Sequence, residues 1–176
     1  MKLLSRNEIS DYTNKDLLKI SNLKFIDGYR IGLSLHNIYY KVNEPVDLLG
    51  DIDCKSNILS PNYVFAKGNL YLLESKQQLC VPENIFGLIQ TRSKFARLGF
   101  ELAQSSLIII PGFGKINPTP LVLEFSPRID ICGIKTDEFY GYVIFFEIDS
   151  NNSNNKDYRF RFPFNKKKQP PSKVSK

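Results

Sequence analysis

The chain has one histidine, three cysteines and no apolar run longer than a single strand, and each scarcity removes a class of chemistry. Cys54, Cys80 and Cys132 lie far apart, are odd in number and never form a CxxC pair, which argues against a disulfide framework. His36 stands alone in Ser34-Leu35-His36-Asn37, with no HxE or PCxxC pairing anywhere, so a zinc site of that His/Cys type cannot be assembled from its usual ligands. A Ser-His-Asp mechanism survives only if His36 serves it, and a lone histidine in such a setting is more often packed or at the surface. The opening residues, Met1 to Glu8, carry no apolar run long enough for a signal peptide, and the other hydrophobic stretches are strand-sized. The expectation is a cytoplasmic protein with no membrane partner.

What is present suits one globular unit. With 176 residues and 42% hydrophobic content the chain can bury a core without disulfide support. Twenty-four Lys and Arg against 18 Asp and Glu give a net charge of +6, which favours anionic partners, nucleotides and nucleic acids among them. Part of that charge is crowded into the end of the chain, where Lys166, Lys167, Lys168, Lys173 and Lys176 stand beside Pro163, Pro170 and Pro171. Such a composition buries no core, so residues 1–150 are expected to form the domain and 151–176 a polar hinge and a flexible basic tail. The tail could close over a ligand, contact nucleic acid or simply be solvated.

Between the ends the pattern is mostly β. Strands are expected over Asn69 to Leu73, Ile85 to Ile89, Leu121 to Phe125 and Tyr140 to Ile148, separated by Gly and Pro. Helix is expected in two places: over Ser5 to Ile20, opened by a capping-box-like Ser5-Arg6-Asn7-Glu8, and in the short turn from Arg92 to Leu98. Many short strands with little helix predict a mainly β fold, a distorted barrel or jelly-roll sandwich.

Two places carry chemistry. In Gln90-Thr91-Arg92-Ser93-Lys94-Phe95-Ala96-Arg97-Leu98-Gly99-Phe100, cations and a serine share one turn between apolar anchors. Ser93 reads as the helix N-cap and Gly99 as its stop, so Arg92, Lys94 and Arg97 would surround a helix start that suits phosphate. A surface turn with solvated cations is the plain alternative. The second place is Glu124 in Leu121-Val122-Leu123-Glu124-Phe125, where alternation sends Leu121, Leu123 and Phe125 one way and Val122 and Glu124 the other. A carboxylate drawn out of water there would gain the proton affinity that a general base or acid needs, whereas on a wet strand face it would be ordinary.

The order of segments adds to this. Leu72-Leu73-Glu74, Val81-Pro82-Glu83-Asn84-Ile85-Phe86-Gly87, Arg92 to Gly99, Pro111-Gly112-Phe113-Gly114 and Leu123-Glu124-Phe125 follow one another in a sequence that resembles the dCTP deaminase branch of the dUTPase superfamily. The resemblance spans roughly residues 1 to 148, from Leu4-Ser5-Arg6-Asn7-Glu8-Ile9 to Gly141-Tyr142-Val143-Ile144-Phe145-Phe146. It implies a dUTPase-like β-barrel or jelly-roll subunit in a homotrimer, with active sites between subunits and no zinc. It also implies that Arg92, Ser93, Lys94 and Arg97 hold the triphosphate of a pyrimidine nucleotide, dCTP first and dUTP or dTTP after it. Ser106 joins that set, as do Tyr158 and Lys168 from a lid-forming tail. Arg97 and Ser93 would order the site, Glu124 would activate the attacking water, and Mg2+ would accompany the phosphates.

The chain departs from the family pattern at several points. Ile110-Pro111-Gly112 stands where the family has Asp-Pro-Gly, and Leu107 and Ile108 replace polar residues. Lys94 stands where a second serine usually follows, Thr91 stands where glycine is common, and Lys115 to Pro120 lengthen the loop before the Glu124 strand. Ile110 makes ordinary dUTP hydrolysis doubtful. A catalytically silent nucleotide sensor is therefore an alternative to the deaminase, and a pyrophosphatase-like enzyme or a nucleic-acid-binding barrel is a further one. The last would need cations interleaved with stacking aromatics, a pattern weak here, so nucleic acid is not the expected partner.

Overall fold

A computed structural model describes residues 1–43, 53–102 and 107–148. The elements run β1 (Lys2–Leu3), α1 (Arg6–Asn14), β2 (Lys19–Ile20), β3 (Ile31–Val42), β4 (Cys54–Ile58), β5 (Tyr71–Cys80), β6 (Ile85–Thr91), α2 (Ser93–Ala96), β7 (Ile108–Ile109), β8 (Thr119–Phe125) and β9 (Phe139–Glu147). The strands form one mainly antiparallel, curled nine-stranded sheet, a half-barrel whose path is β2-β5-β3-β9-β6-β7, with β1 on β9, β4 on β3 and β8 on β5. The expected mainly β class is the observed one.

The curl is made by β3, which serves two sub-sheets. Ile31 to Ser34 pair with β9, while the stretch from Leu35 to Lys41 pairs with β5 and that from Ile38 to Val42 with β4. Residues 31–35 are all buried because this stretch passes between the two sub-sheets instead of lying on one surface. The ladder breaks at the crossing, with register shifts in β3 after Leu35 and in β5 after Glu74. Buried polar groups fill the break. Ser34 N–H donates to Gln77 Oε1 (3.0 Å), Gln77 Nε2 to Ser34 Oγ (3.2 Å), Ser75 Oγ to the Gln77 carbonyl (2.6 Å), and Leu121 N–H to Ser75 Oγ (2.9 Å). Each would be costly unpaired in the core, so the knot fixes where the sheet turns.

The apolar core lies inside the curl: Leu33, Phe65, Leu73, Leu123, Phe125 and Phe145 are among its fully buried members. Helix α1 begins as expected, with Ser5 as N-cap and Glu8 closing the capping box. It ends earlier than the sequence suggests, at Asn14 and not near Ile20. Asp16 takes a left-handed conformation (φ 57°), and Leu17 and Leu18 N–H both turn back to the Tyr12 carbonyl. Tyr12 clasps the helix to the sheet, donating to Glu147 Oε1 at 2.6 Å and accepting from Asn84 Nδ2 at 3.1 Å.

Other boundaries also shift. The strand expected at Asn69 to Leu73 starts at Tyr71 and runs on to Cys80, and β8 starts at Thr119, so the lengthened loop ends before Pro120. No helix among the described residues is long and apolar enough to cross a membrane. The proposed hinge and basic tail, and with them the domain boundary at 150, lie outside the described residues.

Candidate active site

The basic turn is built by local backbone bonds. Arg92 is the last residue of the strand ladder, its N–H donating to the Tyr140 carbonyl at 2.9 Å, and it is also the first of the turn, its carbonyl accepting from Phe95 and Ala96. Arg92 is therefore the N-cap, in extended conformation (ψ 134°) and without a side-chain cap bond. The expectation that Ser93 caps the helix is corrected: Ser93 is its first helical residue, because sheet pairing carries the extended backbone one residue further. The stop is where the sequence puts it. Gly99, at φ +77°, donates to Ala96 O (3.0 Å) while Phe100 N–H reaches Phe95 O (3.1 Å), the paired closure of a Schellman motif.

Beneath the turn an aromatic cluster ties it to the core. Phe100 packs on Phe125 and Tyr140 with ring centres 4.4 and 4.8 Å apart, and Phe95 lies 4.6 Å from Tyr140. Holding Phe95 and Phe100 inward leaves Ser93, Lys94 and Arg97 exposed on the outer side. Arg92 is half-buried and differently held: Nη1 donates to the Phe139 carbonyl at 3.0 Å and to Glu138 Oε1 at 3.4 Å.

Thr91 stands one residue before the turn, at a position the sequence marks only as a departure. Its Oγ1 accepts the Leu102 N–H at 2.8 Å, so the segment leaving the turn is stapled back to the end of β6. Leu102 in turn bridges to Phe125, which brings the turn and the end of β8 to the same end of the molecule.

On β8 the expected alternation holds: Leu121, Leu123 and Phe125 are buried, Val122 and Glu124 half-buried on the opposite face. Register aligns Glu124 with Leu72 on β5, and Leu72 with Tyr40 on β3. Leu72 is only 5% exposed although it sits on the outer face, so its same-face neighbours cover it. Tyr40 donates its hydroxyl proton to Glu74 Oε1 at 2.9 Å, and burial first, then that bond, pushes its ionisation up to about 12. Sequence reasoning singles out neither Tyr40 nor Glu74. Strand register, which a single sequence does not print, puts Tyr40 in the row of Glu124, two strands away across Leu72, and Glu74 opposite Val122.

The Pro111-Gly112-Phe113-Gly114 turn lies elsewhere. Phe113 O accepts from Val81 N–H at 2.8 Å, and a Cβ on Gly114 (φ +68°) would fall 2.0 Å from the Leu79 carbonyl oxygen. Leu79 pairs with Thr119, five residues along β8 from Glu124, about 17 Å at strand rise. Within one chain the structure thus gathers Arg92, Ser93, Lys94 and Arg97 on one turn and sets Glu124 at the same end, with the Ile110 loop toward the other. Ser106, Tyr158 and Lys168 lie outside the described residues. Among the described residues no group of three or more His, Cys, Asp or Glu side chains comes together to hold a metal.

Comparison with known proteins gives a consistent result. A family model described as dCTP deaminase-like matches residues 3–146. A dCTP deaminase from Buchnera aphidicola subsp. Baizongia pistaciae (strain Bp) is 30% identical over 158 residues, covering 76% of this chain and 82% of that protein. The crystal structure of a 2'-deoxycytidine 5'-triphosphate deaminase from Agrobacterium tumefaciens is similar with a TM-score of 0.63 at 21% identity, a likeness of fold. It covers 82% of this chain and 47% of that one, so the chain spans about half the length of this solved relative.

Proposed function

The chain belongs to the dCTP deaminase-like family, and on that premise we propose that it deaminates a cytosine nucleotide, dCTP to dUTP with release of ammonia, without zinc. Glu124 takes a proton from a water whose oxygen bonds to C4 of the ring. The proton held by Glu124 passes to the amino nitrogen, the bond from C4 to that nitrogen breaks to release ammonia, and the remaining hydroxyl proton moves to N3 as the C4 carbonyl forms. Arg92, Ser93, Lys94 and Arg97 hold the triphosphate, with Ser93 and Arg97 also ordering the site; Ser106, Tyr158 and Lys168 complete the phosphate contacts. Magnesium would accompany the triphosphate, screening its charge, without contacting the reacting carbon.

The observation that carries this reading is the pairing, at one end of the fold, of a half-buried carboxylate on an otherwise apolar strand with a turn whose serine and two of its cations face solvent. Acid–base work and anion binding are the two demands of the reaction. A homotrimer with sites between subunits is the assembly we propose. Two features favour it: the Ile110 loop and Glu124 lie far apart within one chain, and the outer face of β1, β6, β7 and β9 presents Leu3 and Ile108 exposed and Phe86, Leu88, Ile144 and Phe146 half-buried. A cytoplasmic enzyme acting on free nucleotides fits the same reading.

The test is an ammonia-release and product assay with dCTP, CTP, dCMP and dUTP in magnesium, run beside Glu124→Gln. The expected result is conversion of dCTP to dUTP that survives zinc chelation and disappears in the variant. Nucleotide binding without turnover would replace the enzyme with a nucleotide sensor.

A further inference from the structure

Resting on the reading of the basic turn as a phosphate cradle, we infer that Glu138 is a positioning residue for Arg92. Glu138 lies outside every motif that pointed to the site. It precedes β9, and Arg92 is bound to three consecutive residues there: its backbone N–H to the Tyr140 carbonyl (2.9 Å), and its Nη1 to the Phe139 carbonyl (3.0 Å) and the Glu138 carboxylate (3.4 Å). A guanidinium is a planar fork of five donors, so anchoring one nitrogen to two acceptors limits the whole plane and leaves Nε and Nη2 to donate elsewhere. Ordering a long arginine side chain is costly, and a side chain ordered in advance spares the ligand that cost.

The geometry separates Arg92 from its companions. Lys94 and Arg97 are exposed, whereas the Arg92 and Glu138 side chains are 35% and 38% exposed. At 3.4 Å in partial contact with water the ion pair is weak, so a phosphate dianion would not be excluded by it. The Phe139 carbonyl alone would allow the fork to pivot; the carboxylate beside it resists that pivot.

Titration calorimetry of inorganic triphosphate into the full chain tests this, using wild type, Glu138→Ala, Glu138→Gln, Arg92→Ala and the Arg92→Ala/Glu138→Ala double variant. Glu138→Ala is expected to bind about threefold more weakly, the size of one half-exposed ion pair. Glu138→Gln, whose amide oxygen still accepts from Nη1, should hold the wild-type value. On the Arg92→Ala background, Glu138→Ala should change nothing further. With dCTP, Glu138→Ala should raise KM and leave kcat in place.

Tightening by both Glu138 variants in both backgrounds would mean that the carboxylate merely repels the anion, and would overturn the inference. A wild-type chain that binds triphosphate and a Glu138→Ala variant that matches it would overturn the inference alone. A wild-type chain that takes up no triphosphate would overturn the cradle reading and this inference with it.

Discussion

The basic turn and the Glu124 strand share one end of the molecule but are built by opposite means. The turn is local: backbone bonds between Arg92 and Phe100 shape it, two inward rings hold it, and Ser93, Lys94 and Arg97 project from it without shaping it. The strand is non-local: Glu124 owes its face to alternation and its neighbours to pairing with β5. Changing a cation on the turn therefore leaves the backbone as it was. A one-residue slip of β8 would drive Glu124 into the core and turn Leu121, Leu123 and Phe125 outward together. The outward side chains of the turn can thus be exchanged without moving its backbone, while Glu124 is bound to the register of the fold.

Glu124→Gln probes the strand half and carries the largest expected effect. Removing the base should lower turnover by about 10³-fold. Because the side chain is half-buried on the outer face and the amide is isosteric, the melting temperature should barely move. A variant that loses stability along with activity would show that Glu124 supports the sheet. The turn half is broken from below, by Phe100→Ala. Phe100 is 2% exposed and touches Phe125, Tyr140 and Phe95, so its truncation should cost about 3 to 4 kcal/mol in denaturant unfolding. Leu98→Ala, on the exposed side of the same turn, should stay within about 0.5 kcal/mol. Equal effects at 98 and 100 would refute the division into an inward and an outward side.

Legibility in the sequence follows the same division. Local signals were readable: the Ser5 and Glu8 capping box, the Gly99 stop, and the alternation that sends Glu124 away from Leu123 and Phe125. Features that depend on pairing with a distant segment were not. Ser93 has the composition of an N-cap, but a ladder bond from Tyr140 keeps Arg92 extended and takes that place. The longest strand, β3, was not anticipated: Ile31, Leu33 and Leu35 alternate with Gly32, Ser34 and His36, but Gly32 and Ser34 are buried too, since the stretch passes between two sub-sheets. The early end of α1 rests on Asp16, which adopts a left-handed conformation usually left to glycine or asparagine. Thr91, Tyr40, Glu74 and Glu138 gain their roles only from partners between 11 and 46 residues away.

Gly99→Ala sharpens the local half of the comparison. At φ +77° an alanine is strained, while its Cβ would meet Ile129 at an ordinary 3.4 Å, so the cost is conformational and not steric. About 1 kcal/mol of stability should be lost, with triphosphate binding weakened only as far as the turn frays. Denaturant unfolding measures the first and calorimetry the second. A loss of several kcal/mol would mean that the turn, like the strand, is locked from outside itself.

The smallest expected effect belongs to the non-local half, at Tyr40. Its ionisation lies at about 12 in the folded chain against an ordinary value of 10.0, raised by burial and by the hydrogen bond to Glu74. The unfolded chain gives up this proton first, so the stabilising contribution is intact below pH 10 and is lost as pH rises from there through about 12. Tyr40→Phe removes that dependence and, at neutral pH, should cost about 0.5 kcal/mol for the missing bond to a half-exposed acceptor. Other tyrosines share the trend, Tyr140 beneath the turn among them, again raised chiefly by burial. Unfolding curves collected between pH 8 and 12 should therefore converge, the variant starting lower and falling less steeply. Parallel curves would mean that Tyr40 ionises freely in the folded chain, and that its row on the sheet, with Leu72 and Glu124, is wetter than the burial of Leu72 requires.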